Sequence, residues 1–452
     1  MIWPRTFLLV WVTIVISALA VFSAIYPQNI QLFLLGALVC LCVPAADFMV
    51  SLGLLKDIKC TAVNPRVNAV LDAKLDAEFF VELKTKPTGF LRVGIAFPDE
   101  LACDEKIITH PASQIQEKQI FSFSLNAKKR GRYQIDTVYV STSSPMKFFQ
   151  RKQIAKVDCE IHIYPNLAML RKQVGAFLLD KPGVGIHTLR QVGQGRDFEK
   201  LREYIPGDNY LDIHWKTTAK RGKPITKMYQ IERTQEVYMV IDSSRLAGQT
   251  PPGYAREIVT SKFAPTMLER FIGTSLIMCN VAEKQGDLFG VLNYSNHVNK
   301  FVRARNGKQH YALCREQLYN QHTDLVSPDF SELFGFIRSK IRKRALLIFL
   351  TNLNDPLASE MFVKNISLIS KQHLVLVNMI QPENIEPVFT RPEIKNSKEL
   401  YTSITGDMQY NRLVEIGKQL NQVGVKFAVV DNDKFCPEIV SQYMTVKKRQ
   451  LL

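Results

Sequence analysis

Two apolar runs near the N-terminus constrain this chain more than any other feature. Residues 7–26 (FLLVWVTIVISALAVFSAIY) carry no charge, and residues 30–50 (IQLFLLGALVCLCVPAADFMV) carry one, Asp47. About 20 helical residues cross a bilayer, and a backbone in lipid must satisfy its own hydrogen bonds, which favours helix. A cleavable leader is the competing reading for the first run, but the second run that follows argues for a helical hairpin. Pro44 is expected to kink the second helix or to end it. Arg5 precedes the first run, the link Pro27-Gln28-Asn29 is uncharged, and Lys56 and Lys59 follow the second. The positive-inside rule then leaves both ends, and with them the body of the chain, in the cytoplasm. The eight cysteines are scattered, without CxxC spacing or a Cys/His cluster, which excludes a zinc site and a disulfide scaffold and fits a reducing compartment.

The remaining length of the 452-residue chain suffices for two or three domains. Lysine and arginine total 58 against 42 acids, a net charge of +16. Such a balance suits nucleic acid, an anionic membrane surface or acidic proteins. No nucleic-acid module is recognisable, so nucleic acid is the disfavoured partner. The lipid bilayer is the favoured one, since a membrane protein keeps its cytoplasmic side basic.

After the hairpin (residues 1–56), residues 57–165 alternate apolar and polar positions in short runs such as VNAVLDAKLDAEFFVELKT, FLRVGIAFP, QIFSFSLNA and RYQIDTVYVSTS. This is the period of half-buried strands and predicts an antiparallel β-sandwich-like domain. KKRGRYQI reads as a hairpin turn entering a strand. Residues 166–236 read as a linker with one short helix, followed by a charge-rich segment. The Gly-x-Gly triplets at Gly183/Gly185 and Gly193/Gly195 lack the context of a phosphate loop and read as flexible chain. From 237 to 452, buried apolar strands (VYMVIDSS, DLFGVLNYSN, ALLIFLTNLND, HLVLVNMI, VKFAVVD) alternate with helices at 254–271, 309–319, 329–344, 356–372 and 410–422. That pattern predicts a mainly parallel sheet covered on both faces, a Rossmann-type α/β domain.

Ligands of open α/β sheets bind beyond the carboxyl ends of the strands. Three places there offer oxygen: Asp242-Ser243-Ser244-Arg245-Leu246, Thr351-Asn352-Leu353-Asn354-Asp355, and Thr323-Asp324. Oxygen ligands on separate loops suit Mg²⁺; equally, Asp242 and Ser244 can cap a helix and Asn352 can make a turn. In the charge-rich segment, Trp215 and Lys216, with Arg202, Glu203, Lys220 and Arg221, form a candidate partner-binding face, because tryptophan and arginine dominate interface hot spots. The alternative is that Trp215 packs in the core while the acids pair with the arginines. Glu199, Glu203, Asp208 and His214 could also supply acid and base to an uncharacterised hydrolase or transferase, although no nucleophile motif, HExxH or Walker loop accompanies them.

DFEKLREYIPGD, followed by IHWKTTAKR and IDSS, resembles the signature of the fifty-eighth catalogued "domain of unknown function", a bacterial and archaeal family with a von Willebrand factor A-like domain. RGRYQIDTVYVSTSSPMKFF and EIHIYP extend the resemblance into the strand-rich region. It implies a non-enzymatic membrane adaptor of MoxR-type AAA+ ATPases, in the bacterial inner membrane, serving the assembly or maturation of other proteins. It also implies a metal site of the DxSxS kind. Asp242 and Ser244 match that loop, Leu246 stands where the second serine belongs, Thr323 matches the threonine, and Asn352 replaces an aspartate. No cofactor is expected, and any Mg²⁺ site is degenerate. His214 and Ser144 each stand where the family commonly has an acid, which marks a divergent member.

Overall fold

The structure, a computed structural model, describes residues 2–25, 30–55, 58–83, 89–111, 118–180, 192–193, 197–230, 235–253, 264–383, 385, 387 and 397–449. The chain divides into two compact units, Met1–Asn166 and Leu167–Leu452.

The first unit begins with the short strand β1 (Ile2–Pro4) and two helices, α1 (Thr6–Ile25) and α2 (Ile30–Gly53). Of these, α2 holds the one stretch among the described residues long and apolar enough to cross a membrane, Leu34–Gly53; the described apolar stretch of α1, Thr6–Phe22, is shorter. Two spans were expected at 7–26 and 30–50, and the structure supports one membrane-length candidate. The helix also runs through Pro44 to Gly53 instead of ending there. The link at 27–29 and Lys56 lie outside the described residues.

Nine strands follow: β2 (Ile58–Ala62), β3 (Arg66–Val70), β4 (Lys74–Leu83), β5 (Phe90–Ile95), β6 (Leu101–Cys103), β7 (Ile107–Pro111), β8 (Lys118–Ala127), β9 (Gly131–Ser143) and β10 (Phe149–Tyr164). They form two sheets, β2-β4-β8-β6 and β1-β10-β9-β5-β7, with β3 added alongside β10. Alternation decides which side is buried: Leu75, Ala77, Phe79, Val81 and Leu83 of β4 share one core with Val138 and Val140 of β9 and Ile161 and Ile163 of β10. Two expectations need correcting. The sheets are not wholly antiparallel, because β3 pairs with β10 in parallel. Lys128–Arg130 is not a hairpin turn either, because β8 and β9 belong to different sheets and the segment carries the chain across. The alternation that marks a strand says nothing of which sheet it joins.

The second unit opens with α3 (Ala168–Asp180) and a three-stranded sheet of β11 (Val192–Gly193), β12 (Asp197–Glu203) and β13 (Ile225–Gln230) in the order β11-β13-β12. The short helix α4 (Trp215–Arg221) lies between the last two strands. Gly183, Gly185 and Gly195 fall outside the described residues.

The main sheet contains β14 (Glu236–Asp242), β15 (Leu288–Tyr294), β16 (Val298–Arg305), β17 (Leu346–Leu350), β18 (Leu374–Ile380) and β19 (Lys426–Val430). Its helices are α5 (Met267–Lys284), α6 (Lys308–Tyr319), α7 (Phe330–Lys340), α8 (Pro356–Ser370), α9 (Ser397–Gln422) and α10 (Phe435–Arg449). The strand order is β16-β15-β14-β17-β18-β19, with β16 antiparallel to β15 and the remaining pairs parallel. Both faces are buried. One carries Val237, Met239, Ile241, Ile348 and Leu350, and the other Tyr238, Val240, Leu347, Phe349 and Val377. Of the helix expected at 254–271, residues 254–263 lie outside the described residues; the described helix of this region runs from Met267 to Lys284, past the expected end. Most side chains of α5 are buried, so it lacks the one-sided apolar stripe that betrays a surface helix.

Candidate functional site

The strand order reverses direction between β14 and β17. Numbered by first appearance it reads 3-2-1-4-5-6, and at such a reversal the loops after the two central strands part and leave a crevice. Two of the oxygen-rich segments meet there. Asp242, at the end of β14, is fully buried. Its Oδ1 accepts a hydrogen bond from Ser244 N at 2.8 Å, and its Oδ2 accepts from Thr351 Oγ1 at 2.8 Å. Burial holds its carboxyl above the usual range, and the hydrogen bonds from Ser244 and Thr351 only partly oppose that. Tyr294, beside Asp242 in the register, has its phenol pushed up by burial first and by the Asp242 charge second.

The loops themselves are tied together. Arg245 Nη2 meets Asp355 Oδ2 at 2.5 Å, and Arg245 Nε donates to Ser327 Oγ at 3.1 Å. Asp355 caps α8 by accepting from Leu357 N and Ala358 N; burial alone would raise its carboxyl, but these bonds and Arg245 hold it below the usual range. The third segment is drawn in as well. Asp324 N donates to Ser243 O at 2.8 Å, Asn299 Nδ2 donates to both Ser243 Oγ and Asp324 Oδ2, and a Cβ on Gly248 would stand 3.6 Å from Thr323 Oγ1.

Of the expected metal residues, Asp242 and Ser244 are therefore side by side, and Thr323 packs on the same loop. Asn352 is turned elsewhere: its amide donates to Gln249 Oε1 at 3.1 Å, and its Oδ1 accepts from Asn354 N at 3.0 Å, an Asx turn. Leu246, in place of a serine, is buried in the core. Among the described residues no cluster of three or more histidine, cysteine or acidic side chains could hold a metal ion. Sequence reasoning missed Thr351 as the hydrogen-bond partner of Asp242. Its position as the first residue after β17, level with the end of β14, was the available signal.

The charge-rich segment is a second site. Its fold rests on Asp208, in the turn after Pro206 and Gly207, the latter at φ 110° where glycine is favoured. Asp208 accepts from Ile205 N at 3.1 Å, from Arg202 Nη2 at 2.5 Å and from Thr226 Oγ1 at 3.4 Å. The bond from Ile205 N and then the Arg202 charge hold its carboxyl below the usual range. His214 caps α4: its Nδ1 accepts from Thr217 N at 3.1 Å and lies 2.7 Å from Thr217 Oγ1. No carboxylate among the described side chains binds that ring. The proposed acid–base group is thus divided, with Asp208 committed to Arg202, Glu203 paired with Lys223 at 3.5 Å and His214 committed to the cap. The Glu199 side chain lies outside the description.

The segment exposes large apolar side chains. Trp215 is 68% exposed, Leu211 90% and Tyr210 73%, with Ile205 and Leu201 also exposed, while Ile213 and Ile225 supply the buried side. Lys216, Lys220, Arg221 and Lys223 surround the tryptophan in sequence and are exposed. Core packing, one of the two readings of Trp215, does not describe this geometry.

A family model described as "Protein of unknown function DUF58" matches residues 200–388, from the charge-rich segment into the main sheet. "Uncharacterized protein YeaD" of Bacillus subtilis (strain 168) is 20% identical over 207 residues, 46% of this chain and 47% of that protein. The chain thus spans about half the length of the curated relative it matches. Among solved structures, an uncharacterized membrane spanning protein from Vibrio fischeri is similar over 48% of this chain and 100% of its own, at 13% identity and a TM-score of 0.18. Proximal thread matrix protein 1 from the mussel byssus is similar over 47% of this chain and 46% of its own, at 9% identity and a TM-score of 0.25.

Proposed function

We propose that this chain, whose residues 200–388 carry the DUF58 match, is a membrane-anchored, non-enzymatic adaptor. Its partner is a MoxR-type AAA+ ATPase, and it serves the assembly or maturation of other proteins. The docking face comprises Trp215, Lys216, Arg202 and Glu203. The observation that carries this reading is the exposure of Trp215, Leu211 and Tyr210 within seven residues of one another in sequence, with the exposed cations Lys216, Lys220 and Arg221 following, since a soluble surface seldom leaves such side chains in water without a use. The N-terminal helical hairpin spans the inner membrane and residues 57–452 lie in the cytoplasm; the apolar length of Leu34–Gly53 supports the anchor, and Arg5 and Lys59 flanking the two runs support the sidedness. The main sheet is a von Willebrand factor A-like domain, a reading supported by its strand order and by Asp242 and Ser244 at the reversal point. Its cation site is degenerate and holds no Mg²⁺ tightly, because Leu246 has no ligand atom and Asn352 Oδ1 is occupied by its own turn.

Full-length protein and a Trp215→Ala/Lys216→Ala variant, each solubilised from membranes of the native host, test the reading by affinity capture with and without Mg-ATP. A MoxR-type ATPase retained by the wild type and lost by the variant is the expected result. Equal capture by both proteins removes the docking face, and recovery of no such ATPase under either condition overturns the adaptor role.

A further inference from the structure

Away from the crevice and from the docking segment, α3, α5 and α10 line an open-sided cavity of about 330 Å³. Its size lies at the lower end of the range for small-molecule sites, about 300–1,000 Å³. The lining divides by chemistry. Val174, Ile277 and Met444 give an apolar floor, while Arg171, Lys284 and Asn280 offer only donors or amide groups, and no carboxylate lines it. Among the described residues neither the Arg171 nor the Lys284 side chain has a hydrogen bond or ion pair. Both are exposed, as cations at the edge of an apolar hollow should be. Two unneutralised cations beside such a floor favour a ligand with a negative head and a hydrocarbon body.

We propose that this cavity binds an anionic amphiphile, a carboxylate or phosphate ester carrying an alkyl chain, with the head at Arg171 and Lys284 and the chain against Val174, Ile277 and Met444. The ligand comes either from a bilayer lipid or from a free fatty acid, which share this chemistry. The assignment is independent of the adaptor reading, since none of these residues belongs to the docking face.

Full-length protein in phosphatidylcholine nanodiscs is exposed to two photoreactive probes: diazirine-bearing palmitate added free, and diazirine-bearing phosphatidic acid in the bilayer. Labelled peptides are then mapped by mass spectrometry. Label on residues 171–175 or 277–284 is expected from at least one probe, and the productive arm identifies the source. Two variants remove the site by different routes. A Cβ on Gly175 meets nothing within 4 Å, so Gly175→Leu fills the cavity, and it replaces a helix-interior glycine with a better helix former. Arg171→Glu/Lys284→Glu reverses the charge and tests the proposal by itself should the first variant fold poorly. Loss of two charge-assisted hydrogen bonds predicts a fall in labelling of roughly tenfold or more. Label in neither arm, label elsewhere, or label unchanged in the charge variant overturns the proposal. Full displacement by an equal concentration of inorganic phosphate likewise overturns it, by showing a simple anion site indifferent to the chain.

Discussion

Asp242 shows how far one buried atom group governs this fold. An unfolded aspartate titrates near about 3.9, and the folded one titrates higher because burial disfavours its charge. Above about pH 4 the folded state therefore binds the proton more tightly than the unfolded state, and stability falls as pH rises until the raised folded value is passed. Asp242→Asn keeps the shape without the charge. Its melting temperature relative to wild type should climb between pH 4 and neutrality and the difference should shrink in acid; a difference independent of pH would contradict the assignment. In the same assay, 10 mM MgCl₂ should leave the wild-type melting temperature in place, and a concentration-dependent rise would restore the cation site. Gly290 makes a steric case. A Cβ there would stand 2.5 Å from the Tyr238 ring and 2.8 Å from Val302 O, in a row of strands that cannot separate. Gly290→Ala should cost about 1–3 kcal/mol by overpacking, read as a lower denaturation midpoint.

At the scale of elements, the loop Ser143–Phe149 between β9 and β10 clasps both N-terminal helices. Ser144 Oγ and Met146 N donate to Asp47 of α2, the latter at 3.1 Å. Phe148 packs on Phe7 and Trp11 of α1 at 5.7 and 5.6 Å, and Phe149 on Phe48 of α2 at 5.3 Å. Arg151 donates to Ser51 O and Leu52 O at the end of α2. Ser144→Ala leaves the buried Asp47 carboxyl one donor short and should cost about 1–3 kcal/mol; unfolding in mild detergent, followed by tryptophan fluorescence at Trp11, would show it, and an unchanged curve would mean the clasp is idle. None of this pairing is visible in SSPMKFF read alone, since it joins residues about a hundred positions apart. Continuous apolar strands such as LLIFL were legible because a buried parallel strand has few other sequence forms. The edge strand β16 was not, since VNKFVRAR is half polar and follows β15 after only three residues. Helix α10 was missed because Pro437, which the first turn of the helix accommodates, reads in sequence as a breaker, and the buried spacing (Ile439, Val440, Tyr443, Met444) appears only once the helix is assumed. At the site, the ends of β14 and β17 could be found from the rule that ligands sit beyond strand termini. The commitment of His214 to a cap could not, because a histidine before a helix and a histidine in a cleft look alike in sequence.

At the scale of the molecule, each unit has its own interior: one core in Met1–Asn166, and two, on either face of the main sheet, in Leu167–Leu452. A fragment spanning 167–452 should consequently fold alone and melt cooperatively, with circular dichroism and calorimetry reporting one transition; aggregation or a broad non-cooperative melt would show that it depends on the first unit. The net charge of +16 also allows a direct check on nucleic acid. Binding of duplex DNA should be weak and nearly independent of salt, and a steep salt slope would indicate many phosphate contacts. The rims of the main sheet carry a further consequence. A protein confined to a bilayer meets its own copies in two dimensions, where an unguarded strand would recruit its neighbour into a growing ribbon. Lys300, Arg303 and Arg305 stud β16, and β19 is five residues long and begins with Lys426. Like charges along β16 and the brevity of β19 both oppose edge-to-edge pairing between copies.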